Sequence, residues 1–296
     1  MLATNKLIGL HCVAPGRLLV PSIRPAVPSH FLSDEIPMEH SQFSVRNKTI
    51  VLTGACGLLG RTIASHCAAL GARIACLDVN SEGLSDVQRK LGNDHLCICC
   101  DISDKESVNR SFSEVTKQFD KVDVLINAHQ SKPKEFLNTK PETHSPELWD
   151  TVIKTNLNGT LYTCQAAAQC MIPQESGVIV NFGSTYGLVS PNPALYDGTA
   201  LECPLAYVAS KGAVIAMSKQ LAVYWAPHNI RVNCVTPHGV YDRHEETFVK
   251  NFSRMTPINR MMNPEEILGT IVYLASDASS YVTGANMVVD GGWTTW

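Results

Sequence analysis

The sequence has little charge of either sign and no long hydrophobic run. Charged residues make up 17% of the 296 residues, and the formal net charge is −3. Without a basic excess, the chain lacks the electrostatic signature of a nucleic-acid-binding protein. No apolar stretch approaches the ~20 residues that a membrane-spanning helix needs. We therefore expect neither a nucleic acid nor a membrane as a partner.

Acidic residues are missing from the start of the chain, where proline is frequent. None precedes Asp34, and the prolines are Pro15, Pro21, Pro25, Pro28 and Pro37. An acid-poor N-terminus that carries arginine is typical of an organellar transit peptide, although prolines break a long amphipathic helix. Translation from Met38 is the other interpretation, and both stay open. Residues 1–44 are predicted to be a poorly ordered extension and 45–296 the folded domain. A cytoplasmic location is expected unless residues 1–37 are a real transit segment.

Cysteine is abundant, with eleven copies. Most of them lie inside apolar runs, which is typical of buried thiols in a reducing compartment. Cys97 and Cys100 form a C-x-x-C, but they lie in a strand-like run with no second cysteine pair nearby. We therefore predict core packing for this pair and no metal site.

From Thr49 onward, short β-branched runs alternate with amphipathic stretches. Strands are predicted at 49–53, 73–78, 95–100, 123–127, 177–182, 230–235 and 286–289, and helices at 58–70, 81–91, 104–119, 146–171, 204–226 and 264–276. Apolar strands separated by helices indicate a parallel sheet covered on both faces. The predicted fold is α/β, a single domain with a doubly wound, Rossmann-type parallel sheet of about seven strands.

A glycine-rich turn joins the first strand to the first helix. Gly54, Gly57 and Gly60 form G-x-x-G-x-x-G within TGACGLLG. Such a turn lets the backbone approach a pyrophosphate that lies on the helix N-terminus. The second strand ends at Asp78, near the distance of about 20 residues expected for the acidic partner of the adenosine ribose. No lysine or arginine occupies the next two positions, so the sequence predicts NAD rather than NADP.

Tyr207 and Lys211 lie four residues apart in the string YVASK, within a predicted helix. Side chains at this spacing share one face of a helix. A nearby cation favours the phenolate, so a tyrosine with an ordinary pKa of about 10 exchanges a proton closer to neutral pH. Ser184 follows the strand GVIVNF and is expected at the carboxyl edge of the sheet, where α/β folds bind ligands. Together these residues indicate acid–base chemistry beside a dinucleotide.

These motifs, taken in order, resemble the short-chain dehydrogenase/reductase family over about residues 46–296. The matches are the glycine turn, Asp101 and Ile102, Asn127, Asn156, Ser184, Tyr207 with Lys211, Pro237 and VVDGG at 288–292. The resemblance implies that Ser184 binds the substrate oxygen and that Tyr207 exchanges its proton. It implies that Lys211 lowers the tyrosine pKa and holds the nicotinamide ribose. Asn156 would kink its helix and relay protons from Lys211.

The same resemblance implies a set of cofactor-binding residues along one edge of the sheet. They are Gly54, Cys56, Gly57, Leu58, Leu59, Asp78, Asp101, Ile102, Asn127, Tyr207, Lys211, Pro237, Gly239 and Val240. Two positions depart from the family pattern: His129, in the string NAHQ where the family has NNAG, and His238, where glycine is usual. The glycine spacing is that of the extended, sugar-nucleotide branch. Family members usually pair through two long helices, so a homodimer or homotetramer is expected.

The segment between Ser184 and Tyr207 is longer than in most members and resembles the corresponding loop of nucleotide-sugar epimerases and dehydratases. The chain thereby resembles bacterial oxidoreductases of flagellin-modification and legionaminic-acid-type sugar pathways. Asp197, Thr199 and Glu202 are candidates for hydrogen bonds to sugar hydroxyls. By the same resemblance, residues 239–262 form a mobile lid over the substrate.

The sequence therefore predicts an NAD-dependent oxidoreductase that transfers a hydride between the nicotinamide and a small-molecule carbonyl or hydroxyl substrate. A sugar or sugar derivative is the favoured substrate. Two alternatives stay open. One is a reductase or dehydrogenase of 3-oxoacyl or small-alcohol substrates. The other, from a different class, is an NAD-binding sensor or scaffold with little turnover.

Overall fold

Seven strands form the centre of the computed structural model, which describes residues 41–202 and 204–296. They are β1 (Thr49–Thr53), β2 (Arg73–Asp78), β3 (Leu96–Cys99), β4 (Val124–Asn127), β5 (Gly177–Phe182), β6 (Ile230–Pro237) and β7 (Asn286–Val289). All neighbouring pairs are parallel, in the order β3-β2-β1-β4-β5-β6-β7. The predicted single α/β domain with a doubly wound sheet is confirmed.

Helices connect the strands and cover both faces of the sheet. They are α1 (Leu58–Ala69), α2 (Ser81–Leu91), α3 (Lys105–Phe119), α4 (Pro146–Ile153), α5 (Gly159–Gln174), α6 (Leu205–Trp225), α7 (Glu246–Met255) and α8 (Leu268–Ala275). The helix predicted at 146–171 is divided into α4 and α5 by a π-helical segment, Lys154–Asn158. No helix was predicted for α7, although Phe248 and Phe252 already showed a helical spacing.

The apolar residues of each strand divide between two hydrophobic clusters, one on each face of the sheet. Ile126 packs in the cluster that includes α1 and α8, whereas its neighbour Leu125 packs in the cluster that includes α3 and α5. Both side chains are fully buried, and burying each contributes about 1.5–3 kcal/mol. Burial on two faces explains why this strand is apolar throughout.

The order of the strands positions the functional edge. β1 is hydrogen-bonded to β2 on one side and to β4 on the other, so the chain reverses its winding direction between β1 and β4. In open α/β sheets a crevice forms outside the carboxyl ends of the strands at such a point. The glycine turn after β1 and the loop after β4 therefore lie next to each other.

Most of the predicted N-terminal extension, residues 1–40, lies outside the described residues. Residues 41–44 are described, and they contact α8 and the turn that follows it. Ala278 N donates a hydrogen bond to Gln42 O (2.9 Å), and the rings of Phe43 and Tyr273 are 6.3 Å apart. The boundary between extension and domain stays a prediction. Within residues 41–202 and 204–296, no helix combines the length and apolarity that crossing a membrane requires.

Candidate active site

The glycine turn after β1 leaves no room for side chains at two positions. Gly54 has φ +69°, and a Cβ there would lie 2.6 Å from His129 Cα. A Cβ on Gly60 would lie 2.1 Å from Gly54 O. The turn borders a cavity of about 450 Å³, the glycine-turn cavity, which is also lined by the predicted residues Cys56, Gly57, Leu58, Leu59 and Val240. The two glycines keep backbone rather than side chains at the start of α1, which fits a dinucleotide pyrophosphate.

Asp78 ties the end of β2 to this turn. One carboxylate oxygen accepts a hydrogen bond from Cys56 N (2.9 Å), and the other accepts one from Asn80 N (2.9 Å). These two amides fix the orientation of the carboxylate. Cys56 takes part through its backbone, because burial and the nearby Asp78 raise the pKa of its thiol to about 12.

A second cavity, of about 460 Å³, lies on the far side of Asp78 and is called the Asp78 cavity. The predicted residues Asp101 and Ile102 line it, together with Lys132, which the sequence did not indicate. Cavities with a carboxylate beside apolar walls suit an adenosine, whose ribose hydroxyls donate to the carboxylate. The structure thus brings three predicted cofactor residues to one wall.

Asn127 lies away from these cavities. Its side chain is buried at the end of β4, where Nδ2 donates to Asn181 Oδ1 (2.9 Å) and Oδ1 accepts from Thr163 Oγ1 (2.9 Å). Asn181 in turn donates to Ser218 Oγ (2.9 Å). A buried amide needs such partners, so the polar network occupies this side chain inside the protein. Cofactor contact by Asn127 stays a prediction.

His129 joins β1 to the helices that follow β4. Its Nδ1 lies 2.7 Å from Thr53 Oγ1, and its Nε2 lies 3.2 Å from Thr160 Oγ1. Thr160 Oγ1 already donates to Asn156 O (2.7 Å), so Nε2 carries the ring proton and Nδ1 accepts from Thr53. Burial and the nearby Lys211 charge lower the pKa of His129 to about 3. The imidazole is therefore neutral, and its two ring nitrogens connect Thr53 at the end of β1 with Thr160 in α5.

Ser184, Tyr207 and Lys211 line one cavity of about 230 Å³, the Tyr207 cavity. Ser184 follows β5, whereas Tyr207 and Lys211 lie one turn apart on α6. Ser184 Oγ accepts a hydrogen bond from Tyr186 N (3.2 Å), and the Ser184 hydroxyl lies close enough to the Tyr207 phenol to lower its pKa. Lys211 Nζ lies 5.6 Å from the centre of the Tyr207 ring and donates to Phe182 O (2.7 Å). The structure brings the three predicted residues together.

The pKa values in this cavity differ from the expectation that Lys211 lowers the pKa of Tyr207. Burial raises the pKa of Tyr207, and the opposing influence comes from the hydrogen bond with Ser184. Burial also lowers the pKa of Lys211 to about 8. The physical reason is desolvation, which disfavours phenolate and ammonium alike.

Asn156 lies in the π-helical segment between α4 and α5 and is buried. Its Oδ1 accepts a hydrogen bond from Ser131 N (2.8 Å), and its Nδ2 donates to Ser210 Oγ (3.1 Å). Single π-helical turns inside α-helices often occur at functional sites. The predicted helix distortion is present. The side chain connects the loop after β4 with α6, next to Lys211.

An aromatic wall closes the far side of the Tyr207 cavity. Tyr186, Phe248 and Phe252 line it together with His238, whose ring lies 4.8 Å from Phe252 and 4.3 Å from Trp293. His238 Nδ1 makes a short hydrogen bond with Thr185 Oγ1. Burial lowers the pKa of His238 to about 4, so it too is neutral. Pro237, Gly239 and Val240 line the same cavity, and their contact with the nicotinamide stays a prediction.

The three loop residues proposed to hydrogen-bond a sugar do not line the Tyr207 cavity. Asp197 O accepts from Asn251 Nδ2 (2.9 Å), Thr199 Oγ1 donates to Tyr196 O (2.8 Å), and Glu202 N donates to a main-chain carbonyl. The loop folds against α7. The polar side chain that it does place near this wall is Tyr196, whose hydroxyl lies 2.9 Å from that of Tyr186.

The cysteines of the described residues are all free thiols. Cys76 and Cys97 face each other in register on β2 and β3, and a hydrogen bond between them raises the pKa of Cys76 and lowers that of Cys97. Cys100 is buried in the core. Over residues 41–202 and 204–296, no cluster of three or more His, Cys, Asp or Glu side chains is arranged to hold a metal ion.

Known proteins resemble this chain along most of its length. The model of a family described as enoyl-(acyl carrier protein) reductase matches residues 54–294. D-threitol dehydrogenase of Mycolicibacterium smegmatis is 34% identical over 266 residues, covering 85% of this chain and 95% of that protein. Human 3-oxoacyl-[acyl-carrier-protein] reductase is 34% identical over 252 residues, covering 83% and 98%. Post-translational flagellin modification protein A of Campylobacter coli is 28% identical over 253 residues, covering 84% and 99%.

A solved structure shows the same likeness in three dimensions. The short-chain dehydrogenase of Leptospira borgpetersenii serovar Hardjo-bovis, with bound NAD+, superposes with a TM-score of 0.76 at 30% identity. The match covers 86% of this chain and 95% of that one. The fold, the gathered serine, tyrosine and lysine, and these likenesses agree with one another. The chain belongs to the short-chain dehydrogenase/reductase family and is an oxidoreductase that acts on CH–OH groups with NAD(P).

Proposed function

We propose that this protein is an NAD-dependent dehydrogenase of a small polyol, sugar or sugar derivative. The observation that carries the proposal is the position of Ser184, Tyr207 and Lys211 around one cavity, the Tyr207 cavity. Two hydroxyls that meet in a cleft can both bind one substrate oxygen. A nicotinamide, when bound, supplies or accepts the hydride.

The chain's own residues then hold the substrate oxygen and move its proton. Ser184 donates a hydrogen bond to that oxygen and orients it toward Tyr207. Tyr207 gives the oxygen a proton during carbonyl reduction and removes it during alcohol oxidation. Lys211 would hold the nicotinamide ribose, and with a pKa of about 8 it exchanges protons near neutral pH. Asn156 connects the loop after β4 to α6 through its two hydrogen bonds and so fixes their relative position.

The size of the cavity supports a small substrate. At about 230 Å³, it is below the ~300–1,000 Å³ of ordinary ligand pockets. Polar rims from Tyr186 and His244 and apolar walls from Phe248 suit a short chain of carbons with several hydroxyls. D-threitol dehydrogenase, at 34% identity, supports the same class.

NAD is the proposed cofactor because Asp78 lines the cavity in which we place the adenosine ribose. A 2′-phosphate at that position would approach a carboxylate that two main-chain amides hold in place. NAD+ in the Leptospira relative supports this choice. Titration with NAD and with NADP, followed by fluorescence, should show a clearly higher affinity for NAD. The Asp78→Asn variant keeps the shape of the side chain and removes its charge, so the difference between the NAD and NADP affinities should become smaller. Equal affinities for the two nucleotides in the unchanged protein would contradict the proposal.

A panel of substrates tests the reaction itself. The purified chain is incubated with NAD and four- to six-carbon polyols, deoxy sugars and amino sugars, and NADH formation is followed by absorbance. A 3-oxoacyl thioester with NADH is included because the human relative supports that second candidate, and a Ser184→Ala variant controls for background. We expect turnover on a polyol or a sugar, including the sugar derivatives to which the Campylobacter coli relative points. Turnover on the thioester alone would favour the second candidate.

A further inference from the structure

Two basic side chains border the glycine-turn cavity from different elements. Lys132, in the loop after β4, lines both the Asp78 cavity and the glycine-turn cavity. His244, between β6 and α7, lines the glycine-turn cavity and the Tyr207 cavity. The two residues thus lie where the three cavities along the sheet edge join. No motif of the sequence had indicated Lys132 as a ligand-binding residue.

The orientation of the His244 ring leaves a free donor. Asp242 N donates a hydrogen bond to His244 Nδ1 (3.1 Å), so Nδ1 is the acceptor and the ring proton is on Nε2. The ring is stacked on Phe248 with 5.2 Å between centroids, which fixes its plane. Among the described residues, no hydrogen-bond acceptor is paired with this Nε2 proton.

Lys132 is close enough to His244 for their charges to interact. Burial lowers the pKa of His244, the Asp242 carboxylate raises it, and the Lys132 ammonium lowers it. Lys132 is exposed and makes no ion pair with the described part of the chain. A cation and an N–H donor that border one cavity and lack partners are both stabilised by an anion placed between them.

The charges of the glycine-turn cavity decide which anion fits. Asp78 and Asp242 are its acidic residues, and both oxygens of Asp78 already accept main-chain hydrogen bonds. The first turn of α1 carries no acidic side chain. Because Asp78 is already bound to main-chain amides, the space between the turn and the two basic residues is suited to a phosphate.

We propose that Lys132 and His244 bind the pyrophosphate of the dinucleotide from the side opposite to the N-terminus of α1. The assignment rests on the proposed function, because it adds two contacts to the same cofactor site. On the side of the α1 N-terminus, the glycine turn supplies main-chain amides. On the opposite side, Lys132 supplies a cation and His244 supplies an N–H donor. Since His244 precedes α7, its contact would also couple cofactor binding to the segment that closes the Tyr207 cavity.

Calorimetric titration of the full chain with NAD, NADP, ADP and adenosine tests the Lys132 contact. Lys132→Ala should weaken NAD and ADP by about fivefold, the range of one exposed ion pair, and leave adenosine unchanged because it has no phosphate. The loss should shrink as salt is raised, since exposed charges are screened. Lys134→Ala is the matched control: Lys134 is an exposed lysine of the same loop that lines none of the three cavities.

The histidine contact is tested with two variants that keep a bulky side chain over Phe248. His244→Phe retains a ring but removes the N–H donor, so ADP affinity should fall. His244→Gln keeps a donor, so affinity should stay closer to that of the unchanged protein.

Three outcomes would overturn the assignment. They are an equal loss for adenosine, a loss confined to NADP, which would move Lys132 to the 2′-phosphate, and variants that bind ADP as the unchanged protein does. If the unchanged protein binds NADP more tightly than NAD while Lys132→Ala still weakens ADP, the proposed cofactor choice fails and the phosphate contact stands.

Discussion

Burial dominates the protonation of the residues around the Tyr207 cavity. It raises the pKa of Tyr207 and lowers the pKa of Lys211 to about 8. A phenol with a raised pKa is a weaker acid, so near neutral pH Tyr207 keeps its proton and is rarely a phenolate. Alcohol oxidation, which needs the phenolate, should therefore speed up as pH rises, whereas carbonyl reduction should not.

Replacing Tyr207 by Phe is the direct test at this scale. The variant keeps the ring contacts with Phe136 and Tyr186 and removes the one exchangeable proton. Since acid–base catalysis contributes ~10²–10⁴-fold, kcat should fall by at least that factor on a verified substrate. NAD affinity, measured by fluorescence, should change little.

Tyr186→Phe is the control for that experiment, because it removes a phenol from the same cavity. We expect a much smaller effect on kcat from Tyr186→Phe than from Tyr207→Phe. Parental turnover by the Tyr207→Phe protein would show that the proton travels by another route.

Two buried histidines make the protein sensitive to acid. The pKa of His129 is lowered from 6.5 to about 3 and that of His238 from 6.5 to about 4. Below pH 6.5 the unfolded chain binds protons that the folded chain does not, so stability is complete above this pH and falls as the pH drops toward 4. Urea unfolding at about pH 7 and about pH 5 should show this loss.

The His129→Ala variant should lose less stability between those two pH values, although it is less stable at both. His66→Ala removes a histidine that lines none of the three cavities and serves as the control. An unchanged pH dependence in His129→Ala would mean that His129 is protonated in the folded protein.

At the scale of elements, the π-helical segment Lys154–Asn158 is the feature with the clearest consequence. It places Asn156 where one side chain reaches both Ser131 N and Ser210 Oγ. Removing a partner from a buried polar group costs about 1–3 kcal/mol. We expect Asn156→Ala to lower the free energy of unfolding by about that amount, as measured by urea denaturation.

Asn158 provides the matched control, since it lies in the same segment and makes no side-chain hydrogen bond with the described residues. Asn158→Ala should change stability by less than about 0.5 kcal/mol. Equal losses in the two variants would indicate a general weakening of the segment rather than the loss of these contacts.

Periodicity predicted most elements because burial on both faces gives parallel strands a distinctive composition. The run TIVLT became β1 with the predicted bounds, and GVIVNF became β5. The π-helical segment Lys154–Asn158 was harder to predict from the sequence, because the hydrogen bonds of Asn156 are made with Ser131 and Ser210, which are distant in sequence. A pattern search sees one continuous helix there.

In the candidate site, too, residues with a characteristic sequence spacing could be predicted, whereas residues placed by tertiary contacts could not. Residues carried by spacing, such as Ser184, Tyr207 and Lys211, came together as expected. Lys132 was missed because the loop after β4 has no periodic pattern from which the place of its side chains could be predicted. Asn127 has a sequence position typical of a cofactor ligand, yet its neighbours Thr163 and Asn181 bind it inside the protein.

For the whole molecule, the proposed domain boundary predicts that the first residues are dispensable. A chain that begins at Met38 keeps Gln42 and Phe43, which contact α8 and the turn after it. It should retain the melting temperature and the NAD affinity of the full chain. A second chain that begins at Val45 loses those contacts and should melt at a lower temperature. A clear drop for the first truncation would show that the segment before Met38 stabilises the domain.

Self-association is a second expectation for the whole molecule. Several apolar side chains at the end of α6 and before β7 are exposed, including Val223, Tyr224 and Tyr281. Exposed apolar groups of this kind favour contact with another surface. Sedimentation equilibrium should give a mass of two or four times the 32.3 kDa of one chain. A monomer at micromolar concentration would contradict the predicted dimer or tetramer.

The position of His129 makes it a natural spectroscopic reporter. This one residue borders the Asp78, glycine-turn and Tyr207 cavities, while its ring proton on Nε2 is shielded from solvent beside Thr160. Such a proton exchanges slowly with water and gives a resolved signal in a nitrogen-edited NMR spectrum. Occupation of any of the three cavities would shift that signal. Following the chemical shift of the His129 Nε2 proton during titrations would then show the order in which adenosine, phosphate and substrate bind.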